Sequence, residues 1–239
     1  MSEAHVKNGR NFLLGALRGN ESHAFLQSLE LVSLELRQRV YEPNVPIEHV
    51  FFPINGVISM LARMQGGGEI EVGTVGNEGM IGLPVFLGSD TTPGLAFSQV
   101  PGQAYRMPAA TFKQFLQASS RLTAVLRRYT QAIMIQISQG TGCNRAHSNE
   151  QRCARWLLQT HDRVGADEFV LTQEFLAQML GVRRATVSEV ASGFQENGLI
   201  EYTRGLIHIL DRARLEATSC GCYQTIRDEY DRMYEELRR

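Results

Sequence analysis

The chain has 239 residues, enough for one large domain or two small ones, each with its own core. Hydrophobic residues make up 43% and charged residues 21%, as in an ordinary soluble globular protein. No apolar run approaches the roughly 20 residues that a membrane-spanning helix needs, and the start lacks the basic and apolar segments of a secretory signal. We therefore expect a cytoplasmic protein with no membrane partner. The formal net charge of −1 gives no bulk attraction to nucleic acid.

The first predicted element is a short helical segment within residues 1–40. Its apolar points are Phe25, Leu26, Leu29, Leu31 and Leu34. From about Val40 to Met107 the sequence changes to alternating segments such as VISMLARM and EIEVGTV, separated by turns rich in glycine, asparagine and proline. Short strands at this spacing indicate an antiparallel barrel or roll, and 66–68 (GGG) predicts a hairpin tip.

After Pro108 the apolar residues recur at helical spacing. They are Leu122, Leu126, Tyr129, Ile133 and Ile137. The spacing predicts one long helix, and apolar residues on its other faces imply that it buries more than one side. We predict that one face packs on the roll and that the stripe forms the dimerisation seam with a second copy. The alternative is a single buried core helix.

Residues 172–190, TQEFLAQMLGVRRATVSEV, have the register of a helix-turn-helix. Ala177 is small where the second helix crosses, Gly181 suits a left-handed turn, and Val187 and Val190 pack back on the first helix. Thr172 is the expected N-cap, as Ser148 is for the preceding helix, where Gln151 completes a capping box. The alternative is a helix pair that merely packs.

The second helix would enter a major groove with its first residues. Downstream, FQENGLIEYTRGLIHIL predicts a helix end at Asn197-Gly198 and a hairpin, or wing, that turns at Arg204-Gly205. The tail from Arg212 to Arg239 predicts one more helix, packed on this winged domain. The predicted DNA-binding residues are Thr172, Gln173, Arg183, Arg184, Thr186, Ser188, Glu189 and Arg204.

The cysteines give no strong pattern. Cys143, Cys153, Cys220 and Cys222 all lie in the second half, and a disulfide framework is not expected in a cytosolic chain. Cys220 and Cys222 are one residue apart instead of two, and no second such pair occurs. We predict free structural thiols, no metal and no cofactor, with a metal or redox site as the alternative.

The whole arrangement resembles the Crp/Fnr family of bacterial transcription regulators. The resemblance spans nearly all of the chain. It rests most strongly on LTQEFLAQMLGVRRATVSEV, on the downstream NGLI and on the wing. In the roll, the family's ligand cassette is similar to VGTVGNEGMIGLPVFLG. The resemblance implies an α+β fold in three parts. Residues 1–107 would form N-terminal helices and an antiparallel β-roll like that of cyclic-nucleotide-binding proteins. Residues 108–140 would form a long dimerisation helix, and residues 147–239 a C-terminal winged helix-turn-helix. The resemblance also implies double-stranded DNA, a second copy, RNA polymerase and an unidentified small-molecule effector as partners.

The sequence departs from the cyclic-nucleotide-binding members of that family. Gly82 is followed by Leu83 and Pro84, where those members carry a glutamate, and SDTTPGLAF holds no arginine for a phosphate. Because a buried phosphate without a cation is costly, we predict that cyclic AMP is not the effector. No cysteine precedes Cys143, as an oxygen-sensing cluster would need, and His49 is a lone candidate for haem. In the recognition helix only Arg184 and Thr186 match the cyclic-AMP receptor type.

Three classes of function compete. A homodimeric regulator that binds an operator and receives its signal through the roll is the leading hypothesis. The alternative is a sensory effector-binding module that acts through protein partners. An enzyme is not expected, because no nucleophile elbow, P-loop, paired metal-ligand motif or dinucleotide fingerprint occurs.

Overall fold

A computed structural model describes residues 11–17 and 20–238. Among these residues the N-terminal part holds three short helices and seven strands. The helices are α1 (Phe12–Ala16), α2 (Asn20–Gln27) and α3 (Leu83–Phe86). The strands are β1 (Glu30–Leu34), β2 (Arg39–Tyr41), β3 (His49–Pro53), β4 (Val57–Arg63), β5 (Glu69–Val75), β6 (Leu95–Val100) and β7 (Gly102–Pro108).

The strands form the expected antiparallel roll. One sheet has the order β1-β7-β3 and the other the order β2-β6-β4-β5. The β4–β5 hairpin turns at Gly66 and Gly67, whose φ angles of 98° and 91° are cheap only for glycine. The helical prediction for Leu31 and Leu34 is wrong, because both lie in β1, where Leu34 is buried and Leu31 exposed. This alternation is that of a strand with one buried face.

The long helix is α5, Ser120–Ala146, and its bounds differ from the predicted 108–140. Residues Ala109–Ala118 form a separate helix, α4. The break falls at Ser119, which is extended and whose side chain caps α5 by accepting from the Leu122 amide. At its other end α5 continues through Gly140 and Gly142, beyond the predicted end at residue 140, and the last turns bury Cys143 against Cys220.

The apolar stripe of α5 is buried within its own chain. Leu122, Leu126, Tyr129 and Ile133 belong to the core that the roll shares with α5. Tyr129 donates its hydroxyl hydrogen to the Met80 carbonyl at 3.0 Å, and only Ile137 is part-buried. In one copy of the chain these five residues therefore offer no free seam. The roll and the last helix already cover them.

The C-terminal part begins with α6 (Asn149–Val164), which has the expected capping box at Ser148 and Gln151. The helix-turn-helix consists of α7 (Gln173–Leu180) and α8 (Arg184–Glu196). Strands β8 (Glu168–Val170), β9 (Ile200–Thr203) and β10 (Leu206–Ile209) form a small antiparallel sheet in the order β8-β10-β9.

The tail forms two helices, α9 (Arg212–Thr218) and α10 (Cys222–Arg238). The prediction that it packs on the winged domain is wrong for α10, which lies mainly along α5. Its apolar residues, among them Ile226, Tyr230 and Met233, join the core of the roll and α5. Amphipathic spacing sets which face a helix buries but not which neighbour buries it, and here the free flank of α5 does so.

The C-terminal part is packed directly on the roll. Phe175 of α7 meets Phe97 of β6 edge to face, with ring centroids 5.7 Å apart. Arg163 of α6 reaches Glu78, in the loop after β5, at 2.7 Å, and both side chains are almost fully buried.

Among the described helices, none combines the length and the apolar character that a membrane crossing requires.

Candidate DNA-binding surface

The turn between α7 and α8 has the geometry that its sequence demands. Thr172 caps α7, its hydroxyl accepting from the Phe175 amide at 3.2 Å. Gly181 ends the helix with φ of 64°, and its amide returns to the Ala177 and Gln178 carbonyls. Ala177 and Val187 are both buried, at the crossing and on the inner face of α8. The two helices are thus held by one small core.

The start of α8 presents basic side chains and free backbone donors. Arg183 stands at the N-cap with an extended backbone and makes no side-chain cap. The first amides of α8 therefore have no side-chain partner there, a position that suits an anion such as a phosphate. Arg183, Arg184 and Glu189 are exposed, whereas Thr186 and Ser188 are half-buried.

The wing lies beside this helix start. Its turn is formed by Arg204 and Gly205, with φ of 51° and 85°, as two-residue hairpins require. A Cβ on Gly205 would stand 3.5 Å from Thr172 Cγ2, so the turn rests against the beginning of α7. The exposed Arg204 side chain projects from this turn.

Tyr202 connects the wing to both helices. Its hydroxyl donates to the Leu171 carbonyl at 3.0 Å. Burial raises the pKa of Tyr202, while a hydrogen bond with the Gln173 backbone and the positive charge of Arg184 act in the opposite direction. Tyr202 of the wing is therefore close both to Gln173 at the start of α7 and to Arg184 at the start of α8, so these three segments lie next to one another. Thr172 is exposed at this junction and Gln173 is half-buried.

The charges of this surface are unneutralised. Within the part of the chain that the structure describes, Arg183, Arg184 and Arg204 form no ion pair. Other arginines do pair, for example Arg106 with Glu30 at 2.7 Å. Three exposed arginines without acidic partners can therefore bind phosphate oxygens or base edges.

The exposed face of α5 differs from the predicted seam. Its residues repeat at alternating steps of three and four, the spacing of a helix that meets another helix. They are Ala124, Arg127, Gln131, Met134, Ser138, Thr141 and Arg145, all exposed. Met134 is 62% exposed and is the largest apolar side chain of this face.

A cleft of about 180 Å³ opens where β5, α5, α6 and α7 meet. No pattern in the sequence indicates this cleft, because its walls come from four separate elements. On one wall, Glu71 accepts from the Trp156 indole at 2.8 Å and from the Ser59 hydroxyl at 2.9 Å. Burial raises the pKa of Glu71 to about 7, although these hydrogen bonds and the charges of Arg155 and Arg163 act to lower it. The cleft thus combines polar groups with a carboxyl group that titrates near neutrality.

Two family models match the chain. Residues 31–119 match the cyclic nucleotide-binding domain, and residues 151–218 match the Crp-like helix-turn-helix domain. No curated protein matches.

Solved structures with the same fold include FixK2 from Bradyrhizobium japonicum, with 15% identity, a TM-score of 0.68, and 80% of this chain and 98% of that chain covered. A putative regulator of the Crp/Fnr family from Eubacterium rectale ATCC 33656 has 21% identity and a TM-score of 0.63, covering 87% and 99%. The c-di-GMP responsive global regulator CLP of Xanthomonas campestris has 19% identity and a TM-score of 0.58, covering 79% and 97%.

Both matched domains occur in the order that the fold shows, sensor roll first and helix-turn-helix second. The expected α+β architecture is confirmed. With its cyclic nucleotide-binding domain and its Crp-like helix-turn-helix, this chain belongs to the Crp/Fnr family of DNA-binding transcriptional regulators.

Proposed function

We propose that the protein binds a two-part operator as a homodimer and adjusts this binding to a signal received through the β-roll. The observation that carries the proposal is the set of three exposed arginines without acidic partners around the start of α8 and the tip of the wing. In helix-turn-helix proteins this end of the recognition helix enters the major groove. The net charge of −1 offers little general attraction to DNA, so binding depends on these local charges.

The three arginines have different roles in this proposal. Arg184 is the first residue of α8 and lies on its exposed side, from which a guanidinium reaches the two acceptors of a guanine. Arg183, one residue earlier, and Arg204, on the wing turn, bind phosphates. Thr172, Gln173, Thr186 and Ser188 add hydroxyl and amide contacts to the backbone. Glu189 accepts from a cytosine amino group.

The homodimer is proposed to form through the exposed face of α5, centred on Met134. The stripe that the sequence spacing predicts as the seam lies on the other side of α5 and is covered by the roll and α10. A parallel pair of α5 helices places two copies of the recognition helix on one side of the assembly. Two-fold DNA sites are read in this way, with half-sites about 34 Å apart.

We also propose that the cleft beside Glu71 receives the signal. It borders the roll through β5, the long helix through α5 and the DNA-binding part through α6 and α7. A small polar molecule bound there would contact all three parts at once. Its affinity could then differ between two arrangements of these parts, which is what regulation by a ligand requires.

The test of DNA binding starts with selection of an operator from random duplexes by the purified protein. Arg184→Ala and Arg204→Ala are then compared with wild type by fluorescence anisotropy on the operator, on its point variants and on unrelated DNA. Arg184→Ala should cost about 1–3 kcal/mol and relax the preference at one base pair per half-site. Arg204→Ala should weaken all sequences alike and reduce the salt dependence by about one unit per contact.

Arg63→Ala is the matched control, because Arg63 is an exposed arginine at the end of β4, on the roll. It should leave operator affinity unchanged. Equal losses on every DNA with Arg184→Ala, or an altered base preference with Arg204→Ala, would mean that the roles are reversed. Failure to select any sequence would favour the alternative, a sensory module that acts through protein partners.

A further inference from the structure

Four potential metal ligands meet at the end of the long helix. They are Cys143, His147, Cys220 and Cys222, and their ligand atoms all lie within 4.8 Å of one another. The sulfurs of Cys143 and Cys220 are 3.4 Å apart, and Cys222 Sγ lies 3.5 Å from His147 Nδ1. All three cysteines are buried and free, and His147 is half-buried.

Two separate segments bring these ligands together. Cys143 and His147 are four residues apart, so they lie on one face of the last turn of α5, where His147 is the C-cap. Cys220 and Cys222 lie at the junction of α9 and α10. Neither pair alone has a recognised metal-binding spacing. The packing of α10 along α5 creates the cluster.

We propose that these four residues bind one zinc ion in a tetrahedral site of three thiolates and one imidazole nitrogen. With Zn–S distances of about 2.3 Å, tetrahedral geometry places neighbouring ligand atoms about 3.8 Å apart, close to the separations found here. An iron–sulfur cluster divides its ligands between at least two iron atoms and so holds some of their ligand atoms farther apart than the 4.8 Å found here. Four protein ligands leave no open position for substrate, so the site is structural.

The surroundings of the cluster suit a zinc–thiolate centre. Binding releases three thiol protons and leaves the centre with a net charge of −1. Arg155 is 7% exposed, and its Nε donates to Cys143 Sγ at 3.3 Å. Across the described residues Arg155 forms no ion pair with a carboxylate, so its charge is available to balance the centre. Gln139 Nε2 donates to Cys222 Sγ at 3.3 Å, as second contacts to metal-bound thiolates do.

The site lies outside both segments that the family models match, residues 31–119 and 151–218. It therefore adds to the two shared domains instead of belonging to either. Its position indicates its role: the ion fastens the start of α10 to the end of α5, at the point where the long helix leads into the DNA-binding part.

The experiment uses the full chain, purified without chelators, with metals measured by mass spectrometry. We expect one zinc per chain. After removal of the metal, titration with Co²⁺ should give the intense visible bands of tetrahedral cobalt together with a sulfur-to-cobalt charge-transfer band. This spectrum requires no variant, so the wild-type protein alone can decide the matter.

Variants then assign the ligands. Cys143→Ala and Cys222→Ala should each lose zinc or bind it at least tenfold more weakly. Cys153→Ala is the matched control, because Cys153 is also buried but lies in the core of the DNA-binding part; it should keep one zinc. Three results would overturn the proposal: wild-type protein that takes up neither zinc nor cobalt, a disulfide between Cys143 and Cys220 in its place, or iron with acid-labile sulfide.

Discussion

The buried ion pair of Arg163 and Glu78 allows a quantitative prediction about the contact between the two domains. Arg163 is 5% exposed and Glu78 is 2% exposed. The guanidinium donates to Glu78 at 2.7 Å, to Thr74 at 2.8 Å and to Gln136 at 2.8 Å. Burial is the largest single influence and lowers the pKa of Arg163, but the charge and hydrogen bond of Glu78, together with Tyr230 and Asp162, outweigh it and leave the pKa raised. The arginine is therefore fully charged in the folded protein.

Glu78→Gln removes the negative charge and leaves the buried guanidinium without its counter-charge. Because arginine cannot release its proton, the folded state must bear the whole penalty. Breaking one side of such a pair costs about 3–5 kcal/mol of unfolding free energy. In a protein of this size each kcal/mol lowers the Tm by about 2–4 °C, so we expect a decrease of roughly 6–20 °C in calorimetry.

Asp90→Asn is the control for the loss of one carboxylate. Asp90 pairs with Lys113 on the surface, where both side chains are exposed, and such pairs contribute less than about 1 kcal/mol. The Tm of this variant should stay within about 4 °C of wild type. A Glu78→Gln protein as stable as Asp90→Asn would refute the view that this pair fastens α6 to the roll.

Three further predictions concern the seam, the effector and the cleft. Met134→Asp should give a folded monomer whose Tm falls only by what dimerisation contributes, whereas Ile133→Asp, next to it but buried, should destabilise the fold itself. Light scattering measures the loss of the dimer and calorimetry the loss of stability. An undisturbed dimer in Met134→Asp would contradict the proposed seam. Calorimetry should find no binding of cyclic AMP, and micromolar affinity would contradict this. Since burial raises the pKa of Glu71 from 4.5 unfolded to about 7 folded, the folded state holds the proton more tightly. The free energy of unfolding should therefore fall as pH rises from about 4.5 to 7, by at most about 3 kcal/mol, and Glu71→Gln should abolish this slope, as urea denaturation at several pH values will show.

Much of the fold could be predicted because local chemistry determines it. The left-handed turns at Gly181, Gly198 and Gly205 and the cap at Thr172 each depend on residues that are adjacent in the sequence. The helix-turn-helix, its wing and the long helix follow from such signals and from apolar spacing. The limits of the long helix were not predicted, because Ser119 acts as an N-cap that starts the helix after the break, and the helix continues through Gly140 to Ala146.

What could not be predicted depends on contacts between distant segments. Sequence spacing predicts that the stripe through Ile133 is buried, but it does not say whether the chain itself or a second copy covers it. Cys143 and Cys220 are 77 residues apart and meet only because α10 returns along α5. The cleft beside Glu71 likewise exists only where four elements converge.

The contacts between roll and DNA-binding part limit how a signal can act. A ligand shifts an equilibrium only by the difference in its affinity for the two states. Separation of the two parts would break the Arg163–Glu78 pair, which costs about 3–5 kcal/mol of free energy. To offset this cost, a signal would have to bind the separated state about two to four orders of magnitude more tightly than the packed state. Arg183, Arg184 and Arg204 are already exposed while the parts are packed together, so separation is not needed to free them.

In the proposed homodimer, a change in how the two α5 helices meet would alter the distance between the recognition helices and leave these buried contacts intact. Because no buried pair breaks, this kind of regulation requires a smaller difference in the signal's affinity for the two states than separation of the parts would. It predicts that a signal changes the preferred half-site spacing more than the exposure of the arginines.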